Sequence, residues 1–263
     1  MAISLSSLRS SKSTNPPIIL IYGVDGVGKT SLAAEFPDAL YVPTAGERTP
    51  EGIDLPTPGI IETFNDLKGV FGELLTEDHE FKTVIVDSLD GLEPLMHAET
   101  CVRIGATSID SNDKGSPTSF GRGYVEADVE WNEFMGACRA LAERGVAVVL
   151  LAHPEIVRFD SPITDPYARY QVKLHKRAAA LVREQSDIVA FINYRVSIKT
   201  KEVAPKKEVA HAEGGKERII HLTEAAGFVA KSRYLTPESF VYKRGQGYAE
   251  LSKYFPEPTG VAA

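Results

Sequence analysis

The stretch Ile18-Ile19-Leu20-Ile21-Tyr22, followed by Gly23-Val24-Asp25-Gly26-Val27-Gly28-Lys29-Thr30, decides the fold. The first part is a continuous apolar run, the pattern of a strand buried on both faces of a parallel sheet. The second fits G-x-x-x-x-G-K-[ST] without a mismatch. Glycines there let the backbone curl until successive N–H groups point inward at phosphate oxygens. Gly23, Val24, Asp25, Gly26, Val27 and Gly28 form this cradle, and Ser31 extends it. Lys29 is placed to bridge the β and γ phosphates of a nucleoside triphosphate, and the Thr30 hydroxyl to hold Mg2+. Lys29 to Phe36 reads as a helix that stops before Pro37 and turns its positive end to the same phosphates. The motif alone occurs by chance; a buried strand before it and a helix after it are the context that its chemistry needs.

Outward from this loop the chain alternates strands and helices. Ala39 to Val42, Thr83 to Val86, Val146 to Ala152 and Ile188 to Tyr194 read as further buried strands. Phe64 to Leu75, Leu92 to Ile104, Val125 to Arg144 and Leu174 to Gln185 read as helices. In the third of these, Val125, Val129, Asn132, Phe134, Met135, Cys138 and Leu141 lie near one stripe. Ala45 to Gly59, Gly105 to Gly123 and Pro154 to Tyr170 read as loops. Arg195 to Lys201 and Glu217 to Leu222 are expected to form two arms of an antiparallel ribbon. This alternation specifies an α/β fold: a mostly parallel sheet with helices on both faces, carrying a β-ribbon late in the chain. The expected organisation is a flexible arm over 1–17, a core over 18–245 with the ribbon around 195–222, and a tail over 246–263.

A second carboxylate is needed at the end of a neighbouring strand to orient the magnesium shell, and Thr83-Val84-Ile85-Val86-Asp87 supplies it. Asp87 or Asp90 could instead cap the next helix. The fourth strand ends at His153, placed to sense a γ-phosphate, or simply hydrogen-bonded at a strand end. Between residues 158 and 183, Arg158, Arg169, Lys173, Lys176, Arg177 and Arg183 stand against Asp160 and Asp165, six cations minus two anions, with Tyr167 and Tyr170 interleaved. Cations among aromatic faces suit single-stranded nucleic acid; a solvated, salt-bridged surface has the same composition. Arg122 and Tyr124, in Gly121-Arg122-Gly123-Tyr124, join that surface if the glycine-rich turn lets the backbone approach a ligand.

The 263 residues carry a net charge of −7 and 43% hydrophobic residues, which fits a folded protein and excludes a uniformly basic nucleic-acid coat. Nothing approaches the ~18 apolar residues of a membrane span, so no membrane partner is expected. Cys101 and Cys138 are too few for a metal cage and read as reduced core thiols. No Asn-Lys-x-Asp tetrapeptide occurs, which weakens a GTPase reading. A nucleotide or small-molecule kinase stays open, with Arg158 to Arg177 as its lid.

The loop at 23–30, Val-Ile-Val-Asp-Ser-Leu-Asp, Gly-Arg-Gly-Tyr and Val-Val-Leu-Leu-Ala-His together resemble a family of phage-borne, RecA-like P-loop ATPases. Tyr-Gln-Val-Lys-Leu-His-Lys-Arg-Ala-Ala-Ala and Ala230-Lys231-Ser232-Arg233-Tyr234 extend the likeness, so that it runs from about Ile18 to about Pro237. Members are often called AAA-family nucleotide-binding proteins, and some are single-strand annealing recombinases of the Sak type. The resemblance implies a RecA-like core that binds ATP and Mg2+. It implies homo-oligomeric rings or filaments with ATP at subunit interfaces, single-stranded DNA as partner, and a cytoplasmic place in a bacterial host. It also implies that Lys231 and Arg233 form a finger pair on a neighbour's γ-phosphate; an exposed strand end is the alternative. In one respect the chain departs from the pattern. RecA-like enzymes usually carry a water-positioning glutamate at the end of the second strand, where Ala45 stands here and Glu47 follows two residues on. Either Glu47 serves, or hydrolysis is slow and the chain works as an ATP-loaded adaptor.

Overall fold

The computed structural model describes residues 14–44, 46–204 and 207–256, with 196–214 described by backbone alone. The expected arm over 1–17 lies largely outside these residues, as do Ala45 and the chain from 257. The elements run β1 (Ile18–Gly23), α1 (Lys29–Ala33), β2 (Ala39–Pro43), α2 (Phe64–Thr76), β3 (Thr83–Asp87), α3 (Leu89–Ile104), α4 (Arg122–Glu126), α5 (Asp128–Glu143), β4 (Ala147–Ala152), β5 (Pro154–Phe159), β6 (Tyr167–Val172), α6 (Lys176–Gln185), β7 (Ile188–Ala204), β8 (Lys207–His221), β9 (Lys231–Ser232), β10 (Ser239–Tyr242) and α7 (Gly247–Leu251).

The five strands expected to be buried lie side by side in the order β2-β3-β4-β1-β7, all parallel. Every residue of β1, β2, β3 and β4 is buried, which is why these segments lack the polar alternation of a half-exposed strand. One face packs Ile18, Leu20, Tyr22, Val84, Val86, Val148 and Leu150 against α2, α3, α5 and α6. The other packs Ile19, Ile21, Ile85, Val149, Leu151 and Ile192 against Leu32 and Phe36 of the α1 region and Leu251 of α7. The expected α/β sheet with helices on both faces is what the chain forms.

Four local expectations need correction. Pro154 to Tyr170 is a hairpin, not a loop: β5 and β6 pair antiparallel from Pro154↔Val172 to Phe159↔Tyr167. Its prolines, Pro154, Pro162 and Pro166, stand at the hairpin's base and tip, where none removes a ladder hydrogen bond. The helix expected over 125–144 breaks at Ala127 into α4 and α5. Val125, Val129 and Asn132 lie outside the buried stripe, which Trp131, Phe134, Met135, Cys138 and Leu141 form. The arms of the ribbon run beyond their expected ends at 201 and 217: β7 and β8 are paired from Phe191↔His221 out to Ala204↔Lys207. Finally, the stretch expected as a tail begins with α7, whose Leu251 is fully buried; Tyr248 in this helix and Phe255 after it flank Phe36. Burying a leucine there contributes about 2 kcal/mol toward holding this short helix on the core.

Candidate nucleotide-binding site

β1 delivers the chain to Gly23 with no room beside it. A Cβ at Gly23 would lie 2.1 Å from the carbonyl oxygen of Ile192 on β7, so the turn can leave the sheet only from a residue without a side chain. Lys29, the first residue of α1, folds back and is 8% exposed. Its Nζ donates to the Gly23 carbonyl at 2.8 Å and to that of Val24 at 3.5 Å. Burial pulls this ammonium below its ordinary pKa, and Asp25, Asp87, Asp90 and Glu47 push the other way. Loop and lysine therefore form one closed nest, the form expected of a phosphate cradle.

Asp87 closes β3 at 2% exposure. Its Oδ2 accepts from the Thr30 hydroxyl at 2.9 Å and from the Tyr41 hydroxyl at 3.1 Å. Burial raises its pKa, while hydrogen bonds from Thr30 and Tyr41 and the charges of Lys29 and His153 oppose the shift. A hydroxyl and a carboxylate meeting at the end of a phosphate nest are the donor set that a hard, oxygen-seeking cation takes. The residues present thus fit magnesium, with Thr30 as ligand and Asp87 behind it. Neither Asp87 nor Asp90 caps α3. Ser88 does, its Oγ accepting from the Gly91 N–H at 3.3 Å, which leaves both carboxylates for the site.

Asp90 holds His153. Its carboxylate accepts from the His153 backbone N–H at 3.0 Å and lies 2.9 Å from the ring Nδ1, and His153 Nε2 faces Asp25 Oδ1 at 3.4 Å. The hydrogen bond to Asp90 raises the histidine pKa. Burial alone would raise that of Asp90, but its bonds from His153 outweigh burial and hold it low. Glu47 is half-buried at the same cleft; burial first, then Asp87, raise its carboxyl, and His153, Asp90 and Lys29 also act on it. Val24, Asp25, Asp90, His153, Ile156, Tyr170 and Lys173 line an open hollow of about 580 Å³ beside the loop.

Thus Lys29, Thr30, Asp87, His153 and Glu47 converge, although four elements carry them. Lys231 and Arg233 do not. Both donate to the Glu184 carbonyl at the end of α6, at 2.9 and 2.8 Å, and Arg233 also faces Asp187. Here two cations neutralise the negative end of a helix. β9 pairs with β7 at Ile188 and Val189, level with Ile19 and Leu20 of β1. That is four strand residues before the loop, or ~13 Å, and on the far end of the sheet. Within one copy the pair cannot reach the nest.

Of the residues singled out for DNA, three are held by contacts within the fold, although Arg122 among them is exposed. Arg169 stacks on Phe159 at 3.9 Å and pairs with Glu224. The Arg122 guanidinium donates to Ser119 and Ser116. Tyr124 stacks on His175 at 4.0 Å. These three are engaged within the protein. The close backbone approach at Gly123 is to the chain's own Ile109 carbonyl, 1.9 Å from where a Cβ would stand, rather than to a ligand. Arg158, paired with Asp160, and Lys173 and Lys176 are exposed. Sequence reading left two contributors unmarked: Tyr41, whose hydroxyl was hidden in an apolar strand, and Asp90 as the partner of His153. Only strand order reveals either.

Among the described residues no helix is long and apolar enough to cross a membrane. No curated protein matches the chain. The family model described as AAA domain matches residues 15–234, which span the loop, the Asp87 strand end and Lys231. With that match on a parallel sheet carrying this nest, the chain belongs to the AAA domain family of P-loop, ATPase-type nucleotide-binding proteins.

Proposed function

We propose that the chain is an ATP- and Mg2+-dependent, RecA-like ATPase of phage type that binds single-stranded DNA and promotes annealing in recombination. It works as a homo-oligomeric ring or filament, in the cytoplasm of a bacterial host. The observation that carries the reading is the 2.9 Å bond between Thr30 and Asp87 at the mouth of a nest closed by Lys29. Lys29 turns from the Gly23 carbonyl to the β and γ phosphates. Magnesium, when bound at Thr30 and Asp87, supplies charge neutralisation for the triphosphate. Glu47 takes the proton of the attacking water as the γ-phosphorus bond to ADP breaks. His153 senses the γ-phosphate in place of Asp25.

The distance of Lys231 and Arg233 from their own nest supports their acting on the nest of the next copy, where cations on the developing charge speed transfer. Exposed Arg158, Lys173 and Lys176, beside the hairpin, serve the DNA backbone. The steady-state ATPase rate with and without an oligonucleotide tests this. The parent chain is expected to turn over ATP faster with single-stranded DNA, and Lys29→Ala to lose turnover in both conditions. ATP binding without DNA binding would end the recombination reading. A second reading, a small-molecule kinase, draws on the hollow beside His153 lined by Ile156, Tyr170 and Lys173. It requires phosphate transfer to a small acceptor by a single copy.

A further inference from the structure

The nest has two sides. In sheet order β2-β3-β4-β1-β7-β8-β10, Asp87 and His153 stand at the ends of β3 and β4, on one side of β1. These groups define where the γ-phosphate and magnesium belong. The nucleoside end of a bound nucleotide must then run the other way, over β7 and β8. On that side stands a row of three residues at one level of the sheet: Tyr194 on β7, Arg218 opposite it on β8, and Tyr242 opposite Arg218 on β10. They share the face that carries the loop and α1. The Tyr194 hydroxyl donates to the Gly26 carbonyl at 3.3 Å. A Cβ built on Gly28 would lie 3.5 Å from Arg218 Nη1 and 3.6 Å from the Tyr242 ring. The row therefore touches the phosphate loop at two of its residues.

Arg218 is the unusual member. Its Nε is buried without a hydrogen-bond partner. Among the described residues, the nearby carboxylates Glu217 and Glu35 are already engaged. Glu217 pairs with Arg195 at 2.6 Å, and Glu35 accepts from the Tyr242 hydroxyl and from the N–H groups of Gly245, Gly247 and Tyr248. A guanidinium brought to the edge of a phosphate nest, with no anion of its own among the described residues, is a receptor for one, because its planar fork matches phosphate oxygens.

We propose that Arg218 binds the nucleotide within its own copy, on the α-phosphate, with Tyr194 and Tyr242 holding it in place. This assignment rests on the nucleotide reading of the loop. It separates two kinds of cation: Arg218 grips what ATP and ADP share, whereas His153 and a neighbour's Lys231 and Arg233 meet only the γ-phosphate.

The test is equilibrium binding of ATP and of ADP to the full chain, by calorimetry. Arg218→Ala is expected to weaken both nucleotides by the same factor, tenfold or more, and Arg218→Lys to recover part of the loss. The nucleotide-free melting temperature should stay near the parent value while the nucleotide-induced rise shrinks. If Arg218→Ala does not fold, Arg218→Gln keeps the stem against Tyr242 and makes the same comparison. Unchanged affinity for both nucleotides, or weakening of ATP alone, overturns the assignment and leaves the loop reading intact. A parent chain that binds neither nucleotide removes the loop reading itself.

Discussion

Single atoms set the tolerance of this site. Gly23 cannot accept a methyl group, since the Ile192 carbonyl stands 2.1 Å from where it would go and neighbouring backbone cannot yield without opening the β1–β7 ladder. Gly23→Ala is expected to lower the unfolding free energy by about 3 kcal/mol, read as a lower denaturant midpoint. Gly136 has only the flexible end of Arg139 nearby, and Gly136→Ala at that helical site should leave the midpoint unchanged or raise it. The His153–Asp90 pair gives a pH signature. Asp90 raises the pKa of His153, and His153 lowers that of Asp90 against the effect of burial. The charged pair thus stabilises the fold fully between the ordinary carboxylate and imidazole ranges, from about pH 4 to about pH 6.5. The histidine part fades as pH rises through the raised His153 value, and the aspartate part as pH falls through the lowered Asp90 value. In Asp90→Asn, the NMR titration midpoint of His153 should move down toward that of an ordinary histidine. A midpoint that stays where it is would show that Asp90 is not its cause.

At the scale of elements, the hairpin of β5 and β6 decides which charges meet solvent. Its single register brings Arg158 opposite Ala168 and Arg169 opposite Val157. The fold then turns Arg169 onto Phe159 and Glu224 and leaves Arg158 outside. Arg158→Glu combined with Lys173→Glu should weaken oligonucleotide binding at least tenfold, with a shallower salt dependence, in fluorescence anisotropy. Arg169→Ala should instead lower the melting temperature, by an amount corresponding to about 1 kcal/mol, with little change in affinity. Equal losses from both variants would contradict this division. The hairpin was not legible from the sequence because prolines and short polar stretches mark turns and strand ends alike. The break at Ala127 was not legible either, since Val125 and Val129 keep helical spacing on both sides of it. α2 was legible nearly to the residue: its apolar spacing begins where Thr63 and Asp66 cap each other.

On the scale of the whole molecule, the nest and the cations of Lys231 and Arg233 occupy opposite ends of one sheet. A copy cannot complete its own site with them; in the proposed oligomer a head-to-tail neighbour would. Mixing a Lys29→Ala chain with a Lys231→Ala chain should therefore restore part of the ATPase rate that each lacks alone. Additive, unrescued rates would favour a self-contained site. The sequence by itself determined the phosphate loop, the buried strands around it and the candidacy of Asp87 and His153, because these depend on local chemistry: glycine where the backbone must curl, unbroken apolar runs where both faces are covered, polar groups at strand tips. Only the tertiary structure decided that Tyr41 reaches Asp87, that Asp90 carries His153, that Arg169 and Arg122 are occupied and that Arg218 lies against the loop. Apart from Arg122, whose bonds to Ser116 and Ser119 are local, those relations join residues tens to nearly two hundred positions apart, and they are set by the order in which strands lie side by side, which no local pattern encodes.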